Sequence, residues 1–470
     1  MKRSFLYLLS PILLLASVAA SVAAAQPPNV IVFLIDDLGW ADVGCNGSTF
    51  YETPNIDKLA ANGVRFTDSY SANPVCSPTR AALLTGKAPQ RVGITQWIHQ
   101  PSNIHLPAEE TTLGEAFQSA GYQTGYIGKW HLGEKENQLP TSNGFNWMKS
   151  VNRAGQPASY FFPYSKKSKR GSYWDVPDLK DGKKGDYLTD AITDHAIDFI
   201  HENKTKPFLL YFAHYAVHTP IQAPKELVAK YEAKKKKLYG DTKAEKVMDR
   251  YKTSSRGRQD HPTYAAMMEN LDTNVGRVMK KLEDLKLTEN TIVLFTSDNG
   301  GHCHLRNPGV TCNLPLRSGK GWTYEGGTRI PTIISWKGNI KPSACDTPAI
   351  SMDMFPTLLE LTGQKLLPAQ HLDGQSLASE IHGKPDNILK TRALYWTYPH
   401  NHGSGHKPSH AIRKGKWKLI HFDFDNTNEL YKLDDDMGEK NNVASKHPEK
   451  VQALHKELNE WIEKTTPVKP

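Results

Sequence analysis

Short, wholly apolar runs alternate along the chain with longer stretches of helical spacing, and this alternation predicts an α/β fold. Asn29–Ile35 is a continuous apolar run with β-branched bias, the pattern of a central strand buried on both faces. Tyr122–Gly128, Pro207–Ala213 and Asn290–Ser297 also read as strands, and Arg329–Trp336 as a later one. Between them the period changes. Thr53 to Asp57 opens a helix through Ala61 that Asn62-Gly63 ends, and Thr111–Ala120 is amphipathic until Gly121 stops it. Ile192–Glu202 and Asp353–Leu361 are further helices. In Tyr264–Leu285, Met267, Leu271, Val275, Val278 and Leu282 form a core-facing stripe. A short helix follows Cys76: Pro78 suits its first turn, Ala81 to Leu84 continue it, and Gly86 closes it.

The pattern changes near residue 365. Ala393–Tyr398, Ala411–Arg413 and Trp417–Ile420 are short strands around tight turns, an antiparallel meander. Pro448 then starts a last helix with Val451, Leu454, Leu458 and Ile462 on one face. The expected organisation is a secretory signal at 1–25, a catalytic domain at 26–365 and a C-terminal subdomain at 366–470. The fold class is α/β: a large, mostly parallel or mixed sheet flanked by helices, with a smaller unit of antiparallel strands and a terminal helix.

Residues 1–25 have a basic start at Lys2-Arg3, an apolar run from Phe5 to Ala16 broken at Ser10-Pro11, and small residues at Ala23 to Ala25. No later stretch approaches the ~20 apolar residues of a spanning helix. The mature chain is therefore expected to be exported, periplasmic or secreted, with no integral membrane segment.

The formal charge of +9, to which Lys2 and Arg3 contribute two, suits a polyanionic substrate. Much of the excess lies in Lys166–Arg170 and Lys234–Lys237, runs that are more often solvated faces than binding patches. No zinc finger, aromatic ribonucleoprotein pattern or helix-turn-helix accompanies them, so nucleic acid is not the expected partner. Five cysteines are too few for a disulfide scaffold, though Cys303 and Cys312 are spaced to close a short loop after export.

The candidate chemistry sits where the apolar runs end. Asn29–Ile35 leads into Asp36-Asp37, and the strand ending at Ser297 leads into Asp298-Asn299. Parallel strands would bring both ends to one sheet edge, where open α/β proteins bind ligands. Adjacent carboxylates there need a salt bridge or a cation. Three carboxylates and an amide oxygen are hard ligands, favouring Ca²⁺ over Mg²⁺ and either over zinc. Cys76 lies at a helix start, where first-turn N–H groups favour an anion, and Arg80 follows one turn later. Lys129 and His131, two apart on an extended segment, point the same way. His214 and His218 follow another buried strand, and Lys320 lies in the glycine-rich segment 316–331.

Cys76, Pro78 and Arg80, with Leu84-Thr85-Gly86 after them, resemble the signature of the type I, formylglycine-dependent sulfatases of the alkaline phosphatase superfamily. Gly128-Lys129-Trp130-His131-Leu132-Gly133 is similar to that family's second signature segment, and the segment from Gly319 to Pro331 also looks like sulfatase sequence. The resemblance implies a sulfuric ester hydrolase in which a maturation enzyme converts Cys76 to formylglycine. It implies Ca²⁺ held by Asp36, Asp37, Asp298 and Asn299 and reaching residue 76. Arg80, Lys129, His218 and Lys320 would hold sulfate, and His131 would take a proton from residue 76. His214 is expected to be structural.

The implied substrate is a sulfated sugar or the end of a polysaccharide. The segment from Gly155 to Phe161 and the Tyr398-Pro399-His400 region look similar to sulfatases of galactose-type or N-acetylgalactosamine-type sugars. Asn152, Arg153 and Tyr160, in the irregular stretch 141–186, either wall the pocket or serve packing, and His400 and His402 are candidate sugar selectors. Residues 225–260 are expected to be helical and exposed. Two other readings compete: a phosphonate or phosphodiester hydrolase of the same superfamily, and a catalytically silent polyanion binder.

Overall fold

The structure is a computed structural model describing residues 26–165, 174–304 and 309–466. The expected signal segment and the basic run Lys166–Arg170 lie outside the described residues.

Eight strands form one mixed sheet. They are β1 (Asn29–Ile35), β2 (Val64–Phe66), β3 (Gln123–Gly128), β4 (Trp147–Lys149), β5 (Phe208–Ala213), β6 (Thr291–Ser297), β7 (Thr332–Ser335) and β8 (Ser343–Cys345). The order across the sheet is β8-β2-β7-β6-β1-β5-β3-β4. β6, β1, β5, β3 and β4 are parallel, whereas β7 runs antiparallel to both β6 and β2. β1 lies at the centre, with every residue buried as a two-faced strand requires. Its register sets Leu34 opposite both Ala213 and Thr296, so Asp36, His214 and Asp298 all leave the sheet at the same edge.

Helices cover both faces. One core layer holds α1 (Pro54–Ala61), α4 (Leu188–Glu202) and α6 (Pro262–Asp284), whose Met267, Leu271, Val275, Val278 and Leu282 are buried as the stripe predicts. The other holds α2 (Cys76–Thr85), α3 (Leu113–Ser119) and α7 (Met354–Leu361). The stretch 225–260 is only partly helical. α5 (Lys225–Tyr239) ends at Gly240, and a small antiparallel pair, Lys246–Met248 with Ser254–Arg256, replaces the rest of the expected helix. Among the described residues, no helix is long and apolar enough to cross a membrane.

The C-terminal meander has four strands, β9 (Ala393–Tyr398), β10 (Ser409–Lys414), β11 (Trp417–Phe422) and β12 (Thr427–Lys432), packed against α8 (Pro448–Thr465). Its other face joins the main sheet's loops through Trp322, Tyr324 and Trp396.

Buried charge crosses the same joint. Lys418 Nζ lies 2.8 Å from Glu325 and 3.0 Å from Glu439, with all three side chains out of solvent. Glu325 also accepts from Arg329 Nε at 2.7 Å and from the Tyr70 hydroxyl at 2.8 Å, and its backbone N–H donates to Glu439 at 2.6 Å. Removing any one charge from such a cluster leaves another buried without its counterpart.

Candidate active site

α2 presents residue 76. Val75 is extended, Cys76 is the first helical residue, and Gly86 at φ +67° caps the far end by donating to Ala82. All ten helical residues are buried, so the free N–H groups of the first turn face the site rather than bulk water. Cys76 Sγ lies 3.3 Å from His131 Nδ1. His131 Nε2 donates to the Ile98 carbonyl at 2.8 Å, which leaves the Nδ1 lone pair turned toward residue 76. Burial pushes the Cys76 thiol up and drives His131 well below its ordinary value, so the imidazole is neutral.

Strand alternation does not aim Lys129 and His131 together: Lys129 turns to Asp36, and His131 reaches residue 76 by another route. β3 ends at Gly128, and His131 takes a left-handed backbone at φ +60° that turns its ring back to α2. Asp37 is also left-handed, at φ +62°. Two non-glycine residues in this region beside one another's chemistry mark strain held by the surrounding structure. Gly155 packs over the His131 ring so closely that a Cβ there would come within 2.6 Å of it.

Charge at the strand ends is matched one for one. Lys129 Nζ donates to both oxygens of Asp36 at 2.9 and 2.8 Å, and Lys320 Nζ to both oxygens of Asp37 at 2.6 and 2.8 Å. Arg80 grips Asp298 through Nε at 2.9 Å and Nη2 at 2.8 Å, and gives Nη1 to the Lys129 carbonyl. Burial opposes ionisation of all three carboxylates. At Asp37 the charged neighbours, Lys320 foremost, win and the pKa falls, and Arg80 with Lys129 does the same for Asp298. At Asp36 burial, helped by the neighbouring Asp298 and Asp37, outweighs Lys129 and raises it.

These residues fit a hard divalent cation. Asp36, Asp37 and His218 each turn a ligand atom into a space where those atoms lie within 4.8 Å of one another. Asp298 touches the same group, accepting from the Asp37 N–H at 3.1 Å. Asn299 gives its amide nitrogen to Asp37 Oδ1 at 2.8 Å, while its Oδ1 is buried with no hydrogen-bond partner. A flipped amide would turn that orphan oxygen toward the carboxylates, the arrangement a cation demands. His218 Nε2 faces Asp37 Oδ2 at 3.6 Å, and burial lowers the ring to about 3.

Cys76, His131, His218, Lys320 and Asp37 line one cavity of about 450 Å³. Arg80 and Lys129 do not line it. The resemblance places them on the sulfate oxygens; in this structure Lys129 bonds Asp36 and Arg80 bonds Asp298. The cavity walls come from Trp97 to Gln100, Gly155-Gln156, Trp174, His302 and His402. Of the expected wall residues, Asn152 is buried and bonded to the Gln156 carbonyl, and Tyr160 bonds the backbone of Tyr215 and His218. Arg153 pairs outward with Glu136. Their neighbours do the lining. His400 bonds Thr95, but His402 reaches the cavity, and a Cβ on Gly321 (φ +85°) would collide with its ring. His214 is buried against Phe212 outside the cavity, as a structural residue should be. Cys303 and Cys312 are both free thiols, so the short disulfide loop does not form.

Sequence reasoning missed Trp97 and His302. His302 had a signal, being three residues beyond Asn299 at a ligand-bearing strand end, whereas Trp97 stands in a loop without periodicity.

The model of the sulfatase family matches residues 28–364. The chain belongs to the sulfatase family. The model described as "N-sulphoglucosamine sulphohydrolase, C-terminal" matches residues 318–466. This sulfatase is 35% identical to N-acetylgalactosamine-6-sulfatase of Canis lupus familiaris, over 79% of this chain and 70% of that one. It is 34% identical to arylsulfatase A of Homo sapiens, over 88% and 78%. The crystal structure of Ps i-CgsB superposes with a TM-score of 0.78 at 30% identity, over 93% of each chain, and that protein has also been crystallised with k-i-k-neocarrahexaose. The mixed sheet with its antiparallel C-terminal unit is the sulfatase fold, and the chain is a sulfuric ester hydrolase.

Proposed function

We propose that this enzyme removes sulfate from a sulfated sugar of the galactose or N-acetylgalactosamine type, at the end of a saccharide chain. It would do so through a formylglycine made from Cys76 by a separate maturation enzyme. The observation that carries the reading is the placement of Cys76: a buried residue at a helix start, 3.3 Å from a neutral His131 and beside three paired carboxylates. A bare cysteine in that setting is a poor nucleophile, because burial raises its thiol. The names of the relatives, an N-acetylgalactosamine-6-sulfatase and a protein crystallised with a neocarrahexaose, support the sugar class. The basic start and apolar run at the N-terminus support export.

Asp36, Asp37, Asp298 and Asn299 would hold Ca²⁺ in preference to Mg²⁺, with residue 76 turned toward it. The ion supplies charge neutralisation for the sulfate oxygens. A hydrated formylglycine supplies two hydroxyls, one to attack sulfur and one to release the product, which a thiol cannot do. The remaining work falls to side chains. Three cations balance three carboxylates here, so a divalent ion would make the site net positive and draw the anionic ester. Arg80 and Lys129 fix the carboxylates from beneath. Lys320 and His218 face the cavity beside Asp37, and Lys320, which carries its proton, is placed to hold sulfate and protonate the departing alcohol. His131 accepts a proton at Nδ1, its other nitrogen being tied to Ile98.

The test is a panel of defined sulfated mono- and oligosaccharides, reading free sulfate and product position, with peptide mass at residue 76. Release from galactose-type sulfates, by protein whose residue 76 has lost its sulfur, is expected. Faster turnover of phosphonate or phosphodiester substrates would favour the alternative hydrolase. An unmodified Cys76 in natively matured protein without ester hydrolysis would leave only polyanion binding.

A further inference from the structure

We propose a second anion site, which binds a sulfate group of the polysaccharide away from the scissile one. It lies where α5 meets the small strand pair that follows it. A cavity of about 450 Å³ opens there, lined by Lys235, Lys243, Lys246, Arg256 and Asp260, with Asp241 and Glu245 also on its wall.

Three cations converge on one carboxylate. Asp260 is 2% exposed and is approached by Arg256, by Arg258 Nη2 at 3.1 Å and by Lys235 Nζ at 3.9 Å. One negative charge cannot neutralise three positive ones. Those cations are themselves half-buried, so water screens the surplus incompletely. Lys243 and Lys246 add two exposed ammonium groups that form no ion pair among the described residues, and Asp241 and Glu245 offset only those two. Lys236 and Lys237, exposed on α5, extend the positive surface. Lys230 and Lys234 do not contribute, since Glu52 and Glu269 hold them. An anion of sulfate size completes the charge balance that Asp260 leaves open.

The site is joined to the catalytic cavity through one loop. The backbone N–H of Arg256 donates to the Cys303 carbonyl and its Nε to the Gly309 carbonyl, and Ser255 bridges His304. His302, on the same loop, lines the catalytic cavity. A polymer with sulfates at both places would raise the local concentration of its scissile end. A monosaccharide could not. This inference rests on the sulfated-polysaccharide reading above, and binding measured without turnover separates the two.

The experiment compares the parent with Lys243→Glu/Lys246→Glu, two exposed positions outside the catalytic machinery. Equilibrium binding of a sulfated galactan is measured beside kcat/KM on a sulfated monosaccharide. At 10 mM ionic strength the double variant should bind the polymer about tenfold more weakly, shrinking to about threefold at 0.15 M as screening grows. Monosaccharide kcat/KM should stay within about twofold, as for surface charges remote from the reaction. Arg256→Lys, which keeps the charge on Asp260, should bind like the parent. Polymer affinity unchanged by the double reversal, or unchanged in its salt dependence, overturns the proposal. So does equal, equally variant-sensitive binding of duplex DNA or anionic vesicles, which would make the surface a general polyanion patch. If polymer binding falls as expected but no sulfated sugar is hydrolysed, the catalytic reading fails and the anion site stands.

Discussion

Replacing Lys418 by Met tests the buried joint between the meander and the loop that carries Lys320. Methionine nearly matches the length of lysine but removes the ammonium shared by Glu325 and Glu439. The two carboxylates start from opposite conditions. Burial acts to raise Glu325, but Lys418, Arg329 and Arg413 overcome it and hold it at about 2, below the ordinary 4.5. Its contribution is therefore complete above pH 4.5 and lost as pH falls through 2. At Glu439 burial prevails over Lys418, with Glu325 adding to it, and the group rises to about 7. It favours the folded state while protonated, and that advantage disappears as pH climbs from 4.5 through 7.

Without the ammonium, Glu325 loses most of its depression, keeping Arg329, Arg413 and Tyr70, and Glu439 rises further because only the Glu325 N–H still donates to it. At about 1.4 kcal/mol per pKa unit, forfeiting the shift at Glu325 costs about 3 kcal/mol at pH 5, where Glu439 is neutral in both proteins. At pH 8 the variant must also keep Glu439 protonated against solvent, and the loss should reach about 5 kcal/mol, within the range for breaking a buried pair. Urea unfolding followed by tryptophan fluorescence would read this, since the Trp396 ring centroid lies 5.8 Å from Lys418 Nζ. A loss that is flat between pH 5 and pH 8, or below about 1 kcal/mol at both, would refute the charge accounting.

The remaining predictions address the catalytic cavity. His131→Ala should lower kcat about 10²–10³-fold with little change in KM, because the ring meets residue 76 and not the sugar; a change confined to KM would remove its role as proton acceptor. Chelation followed by dialysis should abolish activity, and Ca²⁺ should restore it better than Mg²⁺, as a carboxylate-rich, oxygen-donor site predicts; full activity in the chelated protein would count against the donor set. His402→Ala should raise KM for a sulfated sugar about tenfold but leave a small aryl sulfate nearly unaffected, since the residue lines the cavity wall without a hydrogen bond to Cys76 or His131. Equal effects on both substrates would make it structural.

Much of the fold was legible because its central strands are buried on both faces and so read as unbroken apolar runs. Asn29–Ile35 and Thr291–Ser297 announce themselves, and the carboxylates that follow them are conspicuous against such runs. The short strands Val64–Phe66, Trp147–Lys149 and Ser343–Cys345 were not, since three residues carry no period and their pairing depends on long-range neighbours. The reversed direction of Thr332–Ser335 was invisible for the same reason. The helical reading of 225–260 failed beyond Gly240, where Arg256 is held by the carbonyls of Cys303 and Gly309 and Ser255 pairs with His304.

The site was legible in its members but not in their division of labour. The family resemblance says that Arg80 and Lys129 share a site with Asp36 and Asp298; it does not say that they pair with those carboxylates. Three buried carboxylates would be untenable without internal counter-charges, so two of the cations lie beneath the cavity and only Lys320 reaches its surface. A single surface lysine cannot by itself attract a sulfate ester to a site whose net charge is zero. Under the proposed function the positive charge that recruits substrate would come with a divalent ion, for which the unpaired Asn299 Oδ1 is an open donor. If the site holds such an ion, substrate recruitment is coupled to its occupancy: chelated enzyme should lose affinity for the sulfated sugar as well as turnover.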